Sequence, residues 1–243
     1  MTGHTFRIDP RLDPAGLHEE YRASGRLHIP GFLVAEDAEA LLAFLKKAEA
    51  WKLVFNAGEK LFELDRATQA GLPEAKRREL EQAIQAKARY EFQFCYETIR
   101  VPDAERERLA AGTLLADFAR FLSQGEGLAF LQAVTGEPAI AFADAQATAY
   151  GPGHFLTAHD DAVAGKHRKA AYVMNLTKDW SADWGGLLAF HQPGVAAAEA
   201  LVPSFNAINL FSVPQPHSVT ILAPFAPRRR YAVTGWLRGG TRP

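Results

Sequence analysis

AYGPGHFLTAHDDAVAGKHRKAAYVMNLTKDWSADWGGLLAFHQPG, residues 149–194, decides the fold. Short β-prone runs at 155–161, 170–176 and 187–191 alternate here with GPG, DDAVAG, SADWGG and QPG, which are turn and breaker signals. The same rhythm begins at about 140–150 and continues through 206–212, 217–223 and 230–237, with PQP as a further break. Many short strands with Gly/Pro punctuation predict a sandwich or a barrel.

Upstream the period changes. Asp13-Pro14 fits a helix N-cap followed by proline at the first helical position, and Gly25 closes that segment. A strand-like run over 27–33 is broken by Pro30-Gly31. Leu41, Phe44, Leu45 and Ala48 recur at i, i+3, i+4, i+7 behind an acidic first turn, and Leu80, Ala83, Ile84 and Ala88 form a narrower stripe over 73–92. Leu115, Phe118 and Leu122 mark another helix, and 128–134 one that ends at Gly136. The chain therefore divides into a mainly helical support region, 1–137, and a β core, 138–243, with no linker between them and together one compact unit.

Composition narrows the function. Twenty-seven basic against 28 acidic residues argue against direct nucleic-acid binding or an anionic membrane surface, and KRREL at 76–80 reads as a solvated helix face. The single Cys95 excludes an intrachain disulfide framework and a Cys-rich zinc site; amid Phe92, Phe94 and Tyr96 it reads as a buried apolar residue. No apolar run reaches the length of a membrane span, and the N-terminus does not read as a signal peptide, so a cytoplasmic setting is expected.

Among eight histidines, His159 and His217 stand out. On a strand, His159 and Asp161 share a face while Asp160 points away. His217 follows Pro214-Gln215-Pro216 at the mouth of a late strand. Two imidazoles and a carboxylate suit a non-haem Fe(II) centre with open positions; zinc hydrolases use the same donors, so the set alone does not fix the metal. On the last strand Arg230, Ala232, Thr234 and Trp236 share a face. A buried arginine needs an anion, and its fork suits a carboxylate, to which Thr234 can add a hydroxyl. Arg228 and Arg229 read as a basic surface turn, with Arg228 kept as an alternative anion partner.

AYGPGHFLTAHDD at 149–161, YVMNLTKDWSADWGGLLAF at 172–190, NLFSVPQPHSV at 209–219 and RYAVTGW at 230–236 occur in that order. Together they resemble the Fe(II)/2-oxoglutarate-dependent oxygenases, in the branch of the oxygen-sensing prolyl hydroxylases and those that modify a ribosomal protein. The resemblance covers roughly the last hundred residues. It implies an α+β fold, a double-stranded β-helix (jelly-roll) barrel with supporting N-terminal helices. It also implies His159, Asp161 and His217 as iron ligands, Arg230 on the distal carboxylate of 2-oxoglutarate, Tyr150 on the same co-substrate, and Val173 and Trp236 as pocket lining. Asn175 stands where relatives often carry a second co-substrate tyrosine, its amide being able to donate instead. Gly185-Gly186 fits the family pattern and is explained by a tight turn. His154 and His191 read as surface polar residues.

The implied cofactors are Fe(II), 2-oxoglutarate and O2, with ascorbate as a candidate auxiliary reductant. The implied activity is hydroxylation of a C–H bond, a prolyl residue of a protein first, with release of succinate and CO2. A free amino acid or other small molecule is the second substrate reading, and a non-catalytic ligand-binding barrel the third. The mixed-charge region 59–110 is expected to border the pocket.

Overall fold

The computed structural model describes residues 3–192 and 194–240. Pro193 of the QPG turn and the outer ends of the two expected regions, 1–2 and 241–243, lie outside the described residues. In chain order the first region holds α1 (Pro14–Ser24), β1 (Arg26–Pro30), α2 (Ala35–Lys47), β2 (Lys52–Ala57), β3 (Lys60–Asp65), α3 (Arg66–Gly71), α4 (Glu74–Lys87), β4 (Phe94–Arg100), α5 (Glu105–Ala111), α6 (Leu114–Phe121) and α7 (Gly125–Thr135). The second holds β5 (Ile140–Ala143), β6 (Gln146–Tyr150), β7 (Phe155–His159), β8 (Arg168–Asn175), β9 (Leu188–His191), β10 (Ala198–Leu201), β11 (Ala207–Ser212), β12 (His217–Val219) and β13 (Arg230–Gly239).

The helix signals hold where capping chemistry or a wide stripe supports them. The Asp13 side chain accepts from the backbone N–H groups of Ala15 and Gly16, Pro14 starts α1, and Gly25 ends it in the left-handed region. Leu41 and Leu45 of α2, Leu115 and Phe118 of α6, and Leu131 and Val134 of α7 are buried in one core with Tyr172, Met174, Ile208, Leu210 and Val233 of the sheet. Their partners on β8 explain the layering. Tyr172 and Met174 face the helices, while Ala171 and Val173 face a second cluster with Leu188, Phe190, Phe211 and Ala232 inside the barrel. The central strands are thus buried on both faces and read as continuous apolar runs.

The strands form one antiparallel sheet in the order β1-β11-β8-β13-β6-β4-β7-β12-β9-β10, bent into a nearly closed barrel, the jelly roll expected from the resemblance. β4 makes the corner: Glu97–Arg100 pair with β6, while Phe94 and Cys95 pair with β7. Here the structure departs from the sequence expectation, because β2, β3 and β4 lie in the region read as helical. β3 is largely exposed and carries Lys60, Glu63 and Asp65, so Phe62 and Leu64 on one face make only a weak strand signal; the Gly58-Glu59 turn and a stacked Phe55–Phe62 pair, ring centroids 5.3 Å apart, fix it against β2. β10 was likewise not foreseen, being exposed along nearly its whole length. Of KRREL, Arg78 pairs with Glu74 and Lys76 with Glu79 within α4. No helix among the described residues is long and apolar enough to cross a membrane.

Candidate functional site

His159 ends β7 and His217 opens β12, and the two lie directly opposite each other in register, with ring centroids 4.2 Å apart. Asp161 joins them by a different route from strand alternation. β7 stops at His159, and Asp161 adopts φ 64°, a left-handed conformation that aspartate tolerates better than most residues. This turn brings Oδ1 to 3.3 Å from His159 Nε2 and Oδ2 to 3.5 Å from His217 Nε2. Asp160 is exposed, its carboxylate accepting from the Ala162 N–H.

The two rings are held alike. His159 Nδ1 lies 3.0 Å from the Thr157 carbonyl oxygen and His217 Nδ1 2.7 Å from that of Gln215. A carbonyl only accepts, so each Nδ1 carries its proton and each Nε2 is free to offer a lone pair. One ligand atom from each of the three residues lies within 4.8 Å of the others. Burial, helped by the neighbouring His159, pushes the His217 imidazole down to about 4. Burial pulls the Asp161 carboxyl upward, but His159 and His217 outweigh it and hold it below the usual range. Neutral imidazoles and an ionised carboxylate are the forms that bind a divalent cation, so the donor set fits one.

Arg230 occupies the same cavity. It opens β13 opposite Tyr150, is 2% exposed, and lays its guanidinium over the Tyr150 ring at 5.2 Å. Its Nε has no hydrogen-bond partner, and no carboxylate among the described residues lies in ion-pair range of it. Burial lowers its pKa, as expected of a cation without a counter-charge. Gly186 makes the room: a Cβ there would stand 3.2 Å from Arg230 Cδ. Arg228 is exposed, 3.6 Å from Asp179 and beyond the start of β13, and Arg229 pairs with buried Glu97, which Arg66 also reaches. Arg229 is therefore a structural ion pair, in contrast to the surface turn expected of it.

The cavity, about 380 Å³, is lined by His159, Asp161, His217, Arg230, Tyr150, Thr234, Val173 and Trp236. Asn175 does not join them: its amide nitrogen donates to the Val173 and Ala207 carbonyls, leaving Oδ1 buried without a partner. Burial pushes the Tyr150 hydroxyl upward, so it stays a neutral hydrogen-bonding group.

The sequence did not reveal Arg168 or Tyr96, which also line the cavity. Arg168 stacks 3.5 Å over the Trp236 ring and donates to the Asp161 carbonyl at 2.8 Å, bracing the ligand turn. In GKHRK it resembles a surface charge run. Tyr96 stacks on Tyr150 at 5.1 Å; the alternation Phe92, Phe94, Tyr96 was the available signal for its strand. Cys95 is buried, as expected. Two histidines differ from their surface assignment: His191 bonds Ser218 Oγ at 2.8 Å, and His154 Nδ1 is buried without a partner.

Residues 145–238 match the family described as the 2OG-Fe(II) oxygenase superfamily, which bears out the resemblance carried by the four motifs. A Pseudomonas putida prolyl-4-hydroxylase shares 16% identity at a TM-score of 0.60 over 94% of this chain and 100% of its own. A Burkholderia pseudomallei oxidoreductase of the 2OG-Fe(II) oxygenase family shares 12% at 0.62, over 100% and 99%. A Trichoplax adhaerens prolyl hydroxylase in complex with a hypoxia inducible factor oxygen degradation domain peptide fragment shares 15% at 0.55, over 92% and 87%. At these identities the likeness is one of fold. No curated protein matches the chain significantly.

Proposed function

We propose that the protein is an Fe(II)- and 2-oxoglutarate-dependent dioxygenase that hydroxylates a C–H bond, with a prolyl residue of a polypeptide as substrate and succinate and CO2 as products. One observation carries the reading: a convergent His-Asp-His donor set shares one cavity with a buried arginine that lacks a counter-anion. His159, Asp161 and His217 would hold the metal, and bound iron supplies the capacity to activate O2 at the expense of the 2-oxo acid. Arg230 grips the distal carboxylate, with Tyr150 and Thr234 offering hydroxyls beside it. Val173 and Trp236 exclude water from the reacting end. In this reading 138–243 is the catalytic core and 1–137 its support, at work in the cytosol. Ascorbate serves as an auxiliary reductant.

The prolyl assignment is supported by the branch that the motifs resemble and by the prolyl hydroxylases among the structural neighbours. A free amino acid remains the second substrate class. The protein loaded with Fe(II) under nitrogen should develop a visible charge-transfer band when 2-oxoglutarate is added. Iron bound without that band rejects the co-substrate. Incubation with cell extract and 18O2 should then label peptidyl proline; label confined to small molecules selects the second class.

A further inference from the structure

A second cavity, about 610 Å³, lies on the other side of β4 and β7, beneath α4. It is larger than the cavity that holds the His-Asp-His set and shares no lining residue with it. Its wall is partly apolar, with Gln69 and Gln85 among the lining: Leu53, Leu80, Ile84 and Phe155 belong to a small core cluster that closes only part of the α4 stripe. Two further polar features matter here. On the inner side, His154 Nδ1 is buried with no hydrogen-bond partner. A buried imidazole nitrogen without a partner is costly, and a cavity beside it invites a group that can bond to it.

At the mouth stand Arg77 and Glu81, both exposed and one turn apart on α4. Side chains at i and i+4 are neighbours and would ordinarily pair. Neither does: Arg77 makes only a 3.4 Å bond to the Leu72 carbonyl, and Glu81 has no ion pair among the described residues. The remaining basic side chains of this helix, Lys76, Arg78 and Lys87, each pair with a glutamate.

We propose that this cavity binds a free aromatic α-amino acid whose side chain ends in a hydroxyl. Its carboxylate meets Arg77, its ammonium meets Glu81, the ring lies among Leu80, Ile84 and Phe155, and the hydroxyl bonds to His154. A hydroxyl both donates and accepts, so it satisfies Nδ1 in either tautomer. The site is independent of the metal and of the reaction.

Calorimetric titration of the Fe(II)-loaded protein with L-tyrosine and L-phenylalanine tests it, with 2-oxoglutarate present to occupy the first cavity. L-tyrosine should bind saturably and at least tenfold more tightly than L-phenylalanine. His154→Phe should abolish that preference. Arg77→Gln and Glu81→Gln should each weaken binding at least tenfold, and Ala70→Trp, placed on the cavity wall, should prevent it. The 2-oxoglutarate charge-transfer band, unchanged in these variants, certifies that each is folded. Absence of saturable binding overturns the proposal. So does loss on Arg77→Gln without loss on Glu81→Gln, which would mark a simple carboxylate site, or retention of binding in Ala70→Trp, which would place the amino acid elsewhere.

Discussion

Arg108 and Arg230 are both buried almost completely, at 1% and 2% exposed, yet their surroundings differ in kind. Arg108, where α5 and α6 meet the sheet, donates to the carbonyls of Pro102, Ala119 and Ala143 and to Ser123 Oγ at 2.6 to 3.2 Å. Arg230, inside the barrel, has a π-face under its guanidinium, an unpartnered Nε and a cavity in front of it. Burying a cation is expensive in either place. Around Arg108 the cost is offset by acceptors built into the fold, three carbonyls and a hydroxyl among them, so the residue ties helices to strands. Around Arg230 it is left for a ligand to offset. A buried cation left without a counter-charge beside a cavity therefore separates the working arginine from the architectural one.

The sharpest way to break this contrast is to remove the metal donors. His159→Ala, Asp161→Ala and His217→Ala should each reduce Fe(II)-dependent succinate release to background while the protein stays folded. Unimpaired turnover in any of the three would detach the cavity from the chemistry.

The arginines themselves should respond with opposite signs. Arg108→Met leaves carbonyls short of donors and should cost about 3 kcal/mol, lowering Tm by about 6–12 °C. Its 2-oxoglutarate requirement should stay unchanged at a temperature where it is folded. Arg230→Met removes a charge that has no counter-charge and should leave Tm unchanged or raise it. The 2-oxoglutarate requirement should rise by roughly 10- to 100-fold, the loss of one charge-assisted carboxylate grip. A fall in Tm for Arg230→Met as large as that for Arg108→Met would erase the distinction between the two regions.

The sequence showed these two regions unequally, and the reason is physical. The barrel core announces itself because short β-prone runs alternate with Gly/Pro breaks, and because His159, His217 and Arg230 sit at strand ends, with Asp161 in the turn after His159. The architectural side depends on partners far away in the chain. Arg108 lies in ERERLAA, where nothing local separates a buried guanidinium from a surface one, and its acceptors are up to 35 residues distant. β3 and β10 are short and mostly exposed, and exist because a neighbouring strand offers them a ladder. The long-range pairing of Arg229 with Glu97, and the stacking of Arg168 on Trp236, are equally invisible before the sheet closes. Asp161 shows a subtler gap: alternation put it on the face of His159, but a left-handed turn, and not a strand face, brings it to the two histidines.

His154 offers the finest test, since its unpartnered Nδ1 belongs to the lining of a second cavity, outside the first pocket. Burial, aided by the nearby Arg229, pushes its imidazole down to about 4, against about 6.5 for an exposed histidine. Between those values the unfolded chain holds a proton that the folded chain rejects. His154 thus gives its full contribution above pH 6.5 and loses it as the pH falls through 4. Asp144 works the other way: burial raises its carboxyl to about 6, so it favours the fold as the pH drops from 6 toward the ordinary carboxylate range. Subtracting the unfolding free energies of a His154→Gln variant from those of the parent, measured from pH 7.5 to 4, cancels the Asp144 contribution. The difference should fall with decreasing pH by about 1–2 kcal/mol. A flat difference would mean that water reaches His154 freely, and the second cavity would then lose the buried imidazole on which its polar character depends.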